Sequence, residues 1–154
     1  MEDILDRNLR GMTEAVRRNE ITSVDLVQGF LDRIEKVNSS LNAVVSINTE
    51  IALKLAAKAD SDLKEGIVHG PLHGIPMTIK DSLDTKDMVT TWGTKGRETF
   101  RPGRDATSVA RLREAGAILL GKTNTPEFTL SFQTDNLVYG RTNNPYNQCR
   151  YNNN

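Results

Sequence analysis

The chain has 154 residues, with 20 Lys+Arg balanced by 20 Asp+Glu, which allows one domain with a core but gives no electrostatic basis for binding nucleic acid or an anionic membrane. Its one cysteine, Cys149, excludes an intramolecular disulfide and a zinc site built from cysteines. No apolar run is long enough to span a membrane, and the acidic residues 1–6 do not resemble a signal peptide, so we expect a cytoplasmic globular protein.

The N-terminal part of the chain is predicted to be helical. Apolar residues at helical spacing predict a short amphipathic helix within residues 1–19. Thr22 or Ser23 is then the expected N-cap of a stronger helix, whose apolar residues share one face. Residues 38–40 stop this helix, and the apolar residues 43–47 that follow are a strand candidate.

A third helix and a buried strand come next. Asn48 or Thr49 is the expected N-cap of the helix, and Gly66 ends it. Residues 75–79 are short and mostly apolar, which predicts a buried strand. Lys80 follows this strand directly. A lysine in that place must extend to solvent, pair with a carboxylate or lose its proton, and a desolvated neutral amine is a general base.

The next elements are a loop, a helix and a strand. The polar residues 84–104 predict a long loop of the kind that is often functional. Asp105 is the expected cap of a fourth helix that ends at Gly116. Residues 117–120 read as a buried strand, and residues 121–126 read as a turn. A short helix is expected from Glu127 onward.

The alternation of helices and strands predicts an α/β fold with crossover connections and a parallel or mixed sheet. The strands at residues 75–79 and 117–120 are largely apolar runs, as expected for a sheet that is covered on both faces. No internal repeat is present.

Residues 116–123 match the phosphate-loop pattern G-x-x-x-x-G-K-[ST], but their context argues against phosphate binding. In a phosphate loop, backbone N–H groups curl around phosphates between a preceding strand and a following helix. Here the middle residues, Ala-Ile-Leu-Leu, form the predicted strand themselves, and a helix precedes them. Pro126 then stands where the phosphate-loop helix would continue. We therefore expect Lys122 not to bind phosphate.

Several blocks of the sequence resemble the amidase signature family in order and spacing. They are Gly70-Pro71-Leu72-His73-Gly74-Ile75-Pro76 with Ile79-Lys80-Asp81, then residues 115–118, 121–124, 127–128 and 139–147. The resemblance implies an α/β fold with a mixed central sheet flanked by helices. Residues 1–154 would form a truncated amidase domain, with N-terminal helices over about 1–64 and the first part of the sheet and the active-site region over about 65–154.

The resemblance also implies an activity, the hydrolysis of a carbon–nitrogen amide bond by a Ser-Ser-Lys triad, without a cofactor or metal. In this family one serine attacks the carbonyl, a second relays a proton, and the lysine, which falls on Lys80, is the base. The serines follow the Asn-Pro-Tyr-Asn block in a serine- and glycine-rich stretch that residues 148–154 do not resemble. The substrate of the complete enzyme would be a small-molecule amide, and this part alone would be inactive.

Other candidate residues are weighed against plainer roles. Ser131 lies in the segment that approaches the active site in the family, so it is a candidate for substrate binding, with a polar loop residue as the alternative. His69 and His73 lie among turn residues and are expected to make loop hydrogen bonds. Ser82 is expected to be structural, and Cys149 has no histidine near it in sequence that would activate a thiol.

Two other functions stay open from the sequence. One is a catalytically dead fragment that acts as a binding module, and the other is a subunit of an amidotransferase. A homo-oligomer is also open, because the resemblance implies that later parts of the family's chain cover the sheet.

Overall fold

The computed structural model describes residues 2–146, which fold as a three-stranded sheet with helices on both faces. The helices are α1 (Glu2–Leu5), α2 (Leu9–Arg17), α3 (Ser23–Leu41), α4 (Thr49–Lys64) and α5 (Thr107–Glu114). The strands are β1 (Val44–Ile47), β2 (Pro76–Lys80) and β3 (Ile118–Thr123), and single 3-10 turns occur at Lys95–Arg97 and Glu127–Thr129. The predicted α/β class is confirmed.

The sheet is mixed, with the strand order β1-β3-β2. Strand β3 runs parallel to β2 and antiparallel to β1. The connection from β2 to β3 passes through α5, as a parallel pair requires. In β3, Ile118 and Leu120 pack against α3 and α4, whereas Leu119 packs in a separate cluster with Val109 of α5. The prediction that the sheet is covered on both faces is therefore confirmed for β3. It is wrong for β2, where Thr78 and Lys80 are exposed.

The helix ends follow local chemistry at three places. The Thr22 side chain accepts a hydrogen bond of 3.0 Å from Asp25 N and caps α3, as predicted. Asn42 ends α3 in the left-handed conformation, with φ of 51°. The short amphipathic helix predicted within residues 1–19 is α2, which begins where Asn8 accepts a hydrogen bond from Gly11 N; the four-residue helix α1 before it was not predicted.

Two further predictions are corrected around α5 and β3. Asp105 does not cap α5, because its Oδ1 accepts a hydrogen bond of 2.8 Å from Lys86 N and is used to close the preceding loop. Residues 121–123 are not a turn but the second half of β3. They continue the strand because they pair on both sides, with β1 from one edge and with β2 from the other. Each helix within residues 2–146 is too short or too polar to serve as a membrane span.

Candidate functional site

Lys80 is the last residue of β2, where it pairs with Thr123 at the end of β3. Along β2 the side chains alternate in exposure: Thr78 and Lys80 are exposed, whereas Ile79 is buried. The expected desolvation of Lys80 is thus not found within the described residues. The physical reason is that α5 and the loop between β2 and α5 cover the Ile79 side of β2, and the Lys80 side stays open. Lys80 makes no ion pair with another described residue.

Asp81 follows Lys80 and is completely buried, so its side chain lies on the opposite side of the strand, as predicted. Its backbone N–H donates to Thr123 O at 2.8 Å, and its carbonyl accepts from Trp92 N at 3.1 Å. Its Oδ2 accepts from Thr91 N at 3.1 Å and from the Thr91 hydroxyl. Both the backbone and the side chain of Asp81 are therefore fixed.

Lys122 in β3 is also completely buried, on the same side of the sheet as Asp81. Its ammonium donates to Leu83 O at 2.6 Å, to Thr85 Oγ1 at 2.9 Å and to Thr90 Oγ1 at 3.0 Å. It lies 3.7 Å from Asp81 Oδ1. All three ammonium protons are used, and the side chain has no access to a phosphate in solvent. This geometry supports the prediction that the glycine–lysine–threonine motif is not a phosphate loop.

Burial acts on the two charges of this pair in opposite directions. It lowers the pKa of Lys122, against the attraction of Asp81 and Asp84. It raises the pKa of Asp81, against the hydrogen bonds from Thr91 and the attraction of Lys122. In each residue the loss of solvation favours the neutral form, and the contacts made by the charged form oppose that loss. Asp81 and Lys122 therefore form a buried, poorly solvated ion pair, and Asp81 is the residue that follows Lys80 in the chain.

The segment after β3 is held near this end of the sheet by asparagine side chains. Asn136 Nδ2 donates to Asn124 Oδ1 at 2.8 Å and to Thr125 O at 2.7 Å. Asn136 Oδ1 in turn accepts a hydrogen bond of 2.8 Å from Tyr139 N. Burial, followed by the charge of Asp81, raises the pKa of Tyr139. The asparagine side chains thus make this segment an ordered, hydrogen-bonded part of the fold.

Ser131 lies in the same segment but is exposed, and its hydroxyl accepts a hydrogen bond of 3.2 Å from Gln133 N. Shortly before it in the chain, Phe128 and Thr129 line a cavity of about 170 Å³ together with Trp92 and Ser82. The φ values of Trp92, Phe128 and Thr129 are positive, at 56°, 51° and 61°. Backbone strain of this kind often accumulates at functional sites. The local sequence pattern did not predict a left-handed backbone at Trp92 or its position in the lining of this cavity.

The two histidines lie at the other end of β3, where a crevice of about 340 Å³ is bounded by α4 and residues 116–119. His73 is buried, accepts from His69 N at Nδ1 and bonds Ala59 O through Nε2. His69 Nε2 contacts Asp62 Oδ2 at 2.6 Å. The expected hydrogen bond within the loop is therefore found between the two histidines, and each ring also bonds to α4, which was not predicted. Among the described residues, no group of three or more potential ligands could hold a metal ion.

Cys149 and the residues that follow it lie outside the described part of the chain, and so does Asn147 of the last matching block. The residues gathered at the C-terminal ends of β2 and β3 are thus Lys80, its buried neighbour Asp81 and the partner Lys122. Sequence reasoning identified Lys80 but missed the Asp81–Lys122 pair. The signal for that pair was a lysine two residues after the apolar run 117–120, at a position where a turn was expected instead.

Comparison with known proteins gives a consistent result. The Amidase family model matches residues 25–152. The chain is 42% identical over 137 residues to a glutamyl-tRNA(Gln) amidotransferase subunit from Desulfatibacillum aliphaticivorans, covering 89% of this chain and 28% of that protein. It is 41% identical over 143 residues to fatty-acid amide hydrolase 2-B of Danio rerio, covering 88% of this chain and 27% of that protein.

The solved structures agree with this relationship. The structure of the peptide amidase from Stenotrophomonas maltophilia matches with a TM-score of 0.85 and 36% sequence identity, over 92% of this chain and 30% of that one. The chain therefore spans under a third of the length of the relatives it matches.

Proposed function

The chain belongs to the amidase signature family, and on that premise we propose that it is the lysine-bearing N-terminal portion of an enzyme that hydrolyses a carbon–nitrogen amide bond. The observation that carries the proposal is the place of Lys80. It stands at the C-terminal end of a parallel strand, and ligands of open α/β sheets bind in the crevice outside these ends. Its side chain faces the open side of the sheet, while the adjacent carboxylate of Asp81 faces the buried side.

In the proposed reaction Lys80 acts as the base of a Ser-Ser-Lys triad. The neutral amine takes a proton from the relaying serine, which takes one from the nucleophilic serine as that oxygen attacks the amide carbonyl. The proton is then delivered to the leaving nitrogen, and water hydrolyses the acyl-enzyme. Both serines would come from polypeptide outside residues 2–146. The same polypeptide would have to cover the face that carries Thr78 and Lys80, because a base role needs a desolvated amine.

A chimera tests this function directly. Residues 25–146 replace the matching part of the Stenotrophomonas maltophilia peptide amidase, and the turnover of an aryl amide is measured. We expect an active chimera that loses at least about a hundredfold in kcat with Lys80→Ala, because general-base catalysis contributes about 10²- to 10⁴-fold. Lys80→Arg should be nearly as damaging, since arginine keeps the charge but cannot lose a proton.

The control for this experiment is Lys86→Ala, which changes an exposed lysine of the loop after β2. It should leave turnover unchanged. If Lys80→Arg keeps most of the activity, Lys80 acts only as a positive charge and the base assignment fails. A folded chimera without any turnover would count against the amidase function itself.

A second candidate function is that of an amidotransferase subunit. It is favoured by the 42% identity to a glutamyl-tRNA(Gln) amidotransferase subunit. The partners would then be the other subunits of such an enzyme. The test is a second chimera, in which residues 25–146 replace the matching part of the subunit from Desulfatibacillum aliphaticivorans. The chimera is combined with the partner subunits of that enzyme, and its activity on glutamyl-tRNA(Gln) is measured. Transfer activity there, without turnover of free amides by the first chimera, would favour this candidate.

We also propose that Ser131 contacts the substrate, because its side chain is exposed on the segment that follows β3. Ser131→Ala in the active chimera should then raise KM and leave kcat nearly unchanged, as expected for the loss of a uniform binding contact. If KM stays constant, the hydroxyl serves only the turn in which it accepts a hydrogen bond from Gln133 N.

A further inference from the structure

We propose that Asp81 and Lys122 are a positioning pair, which fixes the backbone that carries Lys80 and keeps the Asp81 carboxylate away from the Lys80 amine. This inference rests on the proposed function, because it gives Lys80 the catalytic role. It explains the one lysine of the sheet that the proposed reaction does not use. It also explains the glycine–lysine–threonine motif, whose resemblance to a phosphate loop the fold contradicts.

The Asp81–Lys122 pair is poorly explained by stability alone. Both side chains have no exposed surface, and the two charges are 3.7 Å apart. Removing two charges from water is costly, and buried pairs of this kind are often replaced by apolar residues without loss of stability. A lysine and an aspartate at these two positions therefore indicate a need for defined geometry.

The pair holds the chain at the residue next to Lys80. Asp81 is held through its N–H, its carbonyl and Oδ2, by Thr123, Trp92 and Thr91 respectively. Lys122 is one residue before Thr123 in β3, so the ion pair joins the ends of the two parallel strands. The backbone at the C-terminal end of β2 consequently has little freedom, and the Cα of Lys80 is fixed with it.

The pair also determines which charges face Lys80. Asp81 is the carboxylate nearest to Lys80 in sequence, and a carboxylate that pairs with a lysine favours its charged form. The structure directs Asp81 to the other side of the sheet, where Thr91 and Lys122 occupy it. The Lys122 ammonium stays on that side as well, because its three acceptors lie in the loop after β2. They are Leu83 O, Thr85 Oγ1 and Thr90 Oγ1. Lys80 is thus left available for a proton transfer.

Hydrogen–deuterium exchange on the 154-residue chain tests the fixing of the backbone. Lys122→Met should accelerate exchange in peptides spanning residues 76–83 by at least tenfold. The matched control is Val27→Ala, which removes methyl groups from a completely buried residue in the cluster that α3 and α4 form with Ile118 and Leu120, to which Asp81 and Lys122 do not belong. At equal loss of thermal stability, this control should leave exchange at 76–83 much less affected than Lys122→Met does.

Two outcomes would overturn the proposal. One is unchanged exchange at residues 76–83 in Lys122→Met, and the other is acceleration equal to that of the control, which would show only general destabilisation. If Lys122→Met does not fold, Thr85→Val gives the same readout, because it removes a single acceptor of the ammonium and keeps the shape of a buried residue. It should produce a smaller acceleration at the same peptides.

The peptide-amidase chimera gives a catalytic readout. A positioning pair predicts that Lys122→Met lowers kcat at least tenfold with KM changed less than twofold, whereas Val27→Ala leaves both nearly unchanged. Equal losses in the two variants would reduce the pair to a structural role. If the unsubstituted chimera has no turnover, the proposed function fails, and the exchange experiment still decides whether the pair fixes the end of β2.

Discussion

At Gly121 the backbone of β1 lies close against β3, so Gly121→Ala should destabilise the sheet. Gly121 pairs with Ile47 of β1 and with Thr78 of β2. An added Cβ would lie 2.2 Å from Ser46 O, 3.2 Å from Ser46 C and 3.3 Å from Ile47 Cα. These are backbone atoms of a paired strand, and they cannot move aside as the end of a flexible side chain could. We expect the methyl group to push β1 away from β3.

The expected size of the effect follows from this contact. Inserting a methyl group into a packed site typically costs about 1–3 kcal/mol, and a clash with paired backbone favours the upper half of that range. For a chain of this size each kcal/mol corresponds to about 2–4 °C in Tm. Gly121→Ala should therefore lower the free energy of unfolding by about 2–3 kcal/mol and Tm by roughly 4–12 °C, measured by circular dichroism in thermal and urea unfolding at one protein concentration.

The matched control is Gly103→Ala. An added Cβ at Gly103 meets no atom within 4 Å, and its backbone is not left-handed. This variant should change stability by less than about 0.5 kcal/mol, as is usual for surface substitutions. If Gly121→Ala is as stable as Gly103→Ala, β1 does not pair with β3 in the described register, and the sheet order would have to be revised.

Three further predictions concern the surface and the charges. Calorimetric titration with ATP and magnesium should give no heat of binding, and micromolar affinity that is lost in Lys122→Ala would contradict the burial of that side chain. A hydrogen bond from Lys58, followed by the contact of His69, holds the pKa of Asp62 below its usual range, so its stabilising effect is present at neutral pH and is lost as the pH falls below about 4. Asp62→Asn should accordingly lower the urea midpoint at pH 7 and converge with the unsubstituted chain near pH 2, whereas the exposed Asp135→Asn should differ little at either pH. Apolar side chains such as Phe132 are fully exposed, so the chain should self-associate. Light scattering should show less oligomer for Phe132→Ser than for the unsubstituted chain, and a strictly monomeric chain would refute this prediction.

Local sequence patterns were sufficient for the elements whose signals are local. The cap at Thr22, the long helix after it and the apolar strand before Lys80 all depend on residues within a few positions of one another. The order of the elements also predicted the α/β class, with a parallel or mixed sheet, and the structure has a mixed one. The family resemblance added what no local pattern contained, the assignment of a role to Lys80, and this assignment remains a prediction.

The patterns failed where distant residues decide the conformation. Residues 121–123 looked like a turn because glycine, lysine and threonine follow an apolar run. They form a strand because they pair with β1 and β2. The Lys122 side chain finds its acceptors in the loop after β2, 32 to 39 residues earlier in the chain. Asp105 failed as a helix cap for a similar reason, since its carboxylate accepts a hydrogen bond from Lys86 N.

The two lysines at the end of the sheet show how neighbouring strands can place the same residue type in opposite environments. The sequence predicted a buried Lys80 and a turn at Lys122. In the structure Lys80 is exposed, and Lys122 is buried within a strand. Lys122 pairs with Ile79 and shares its covered side, whereas Lys80 pairs with Thr123 and shares the open side. A shift of one residue in either strand would exchange the two environments. The register of β2 and β3, including the bulge between Met77 and Thr78, therefore decides which lysine is available for chemistry. For this reason Gly121, which lies opposite that bulge, is as relevant to the proposed activity as the residues that would take part in it.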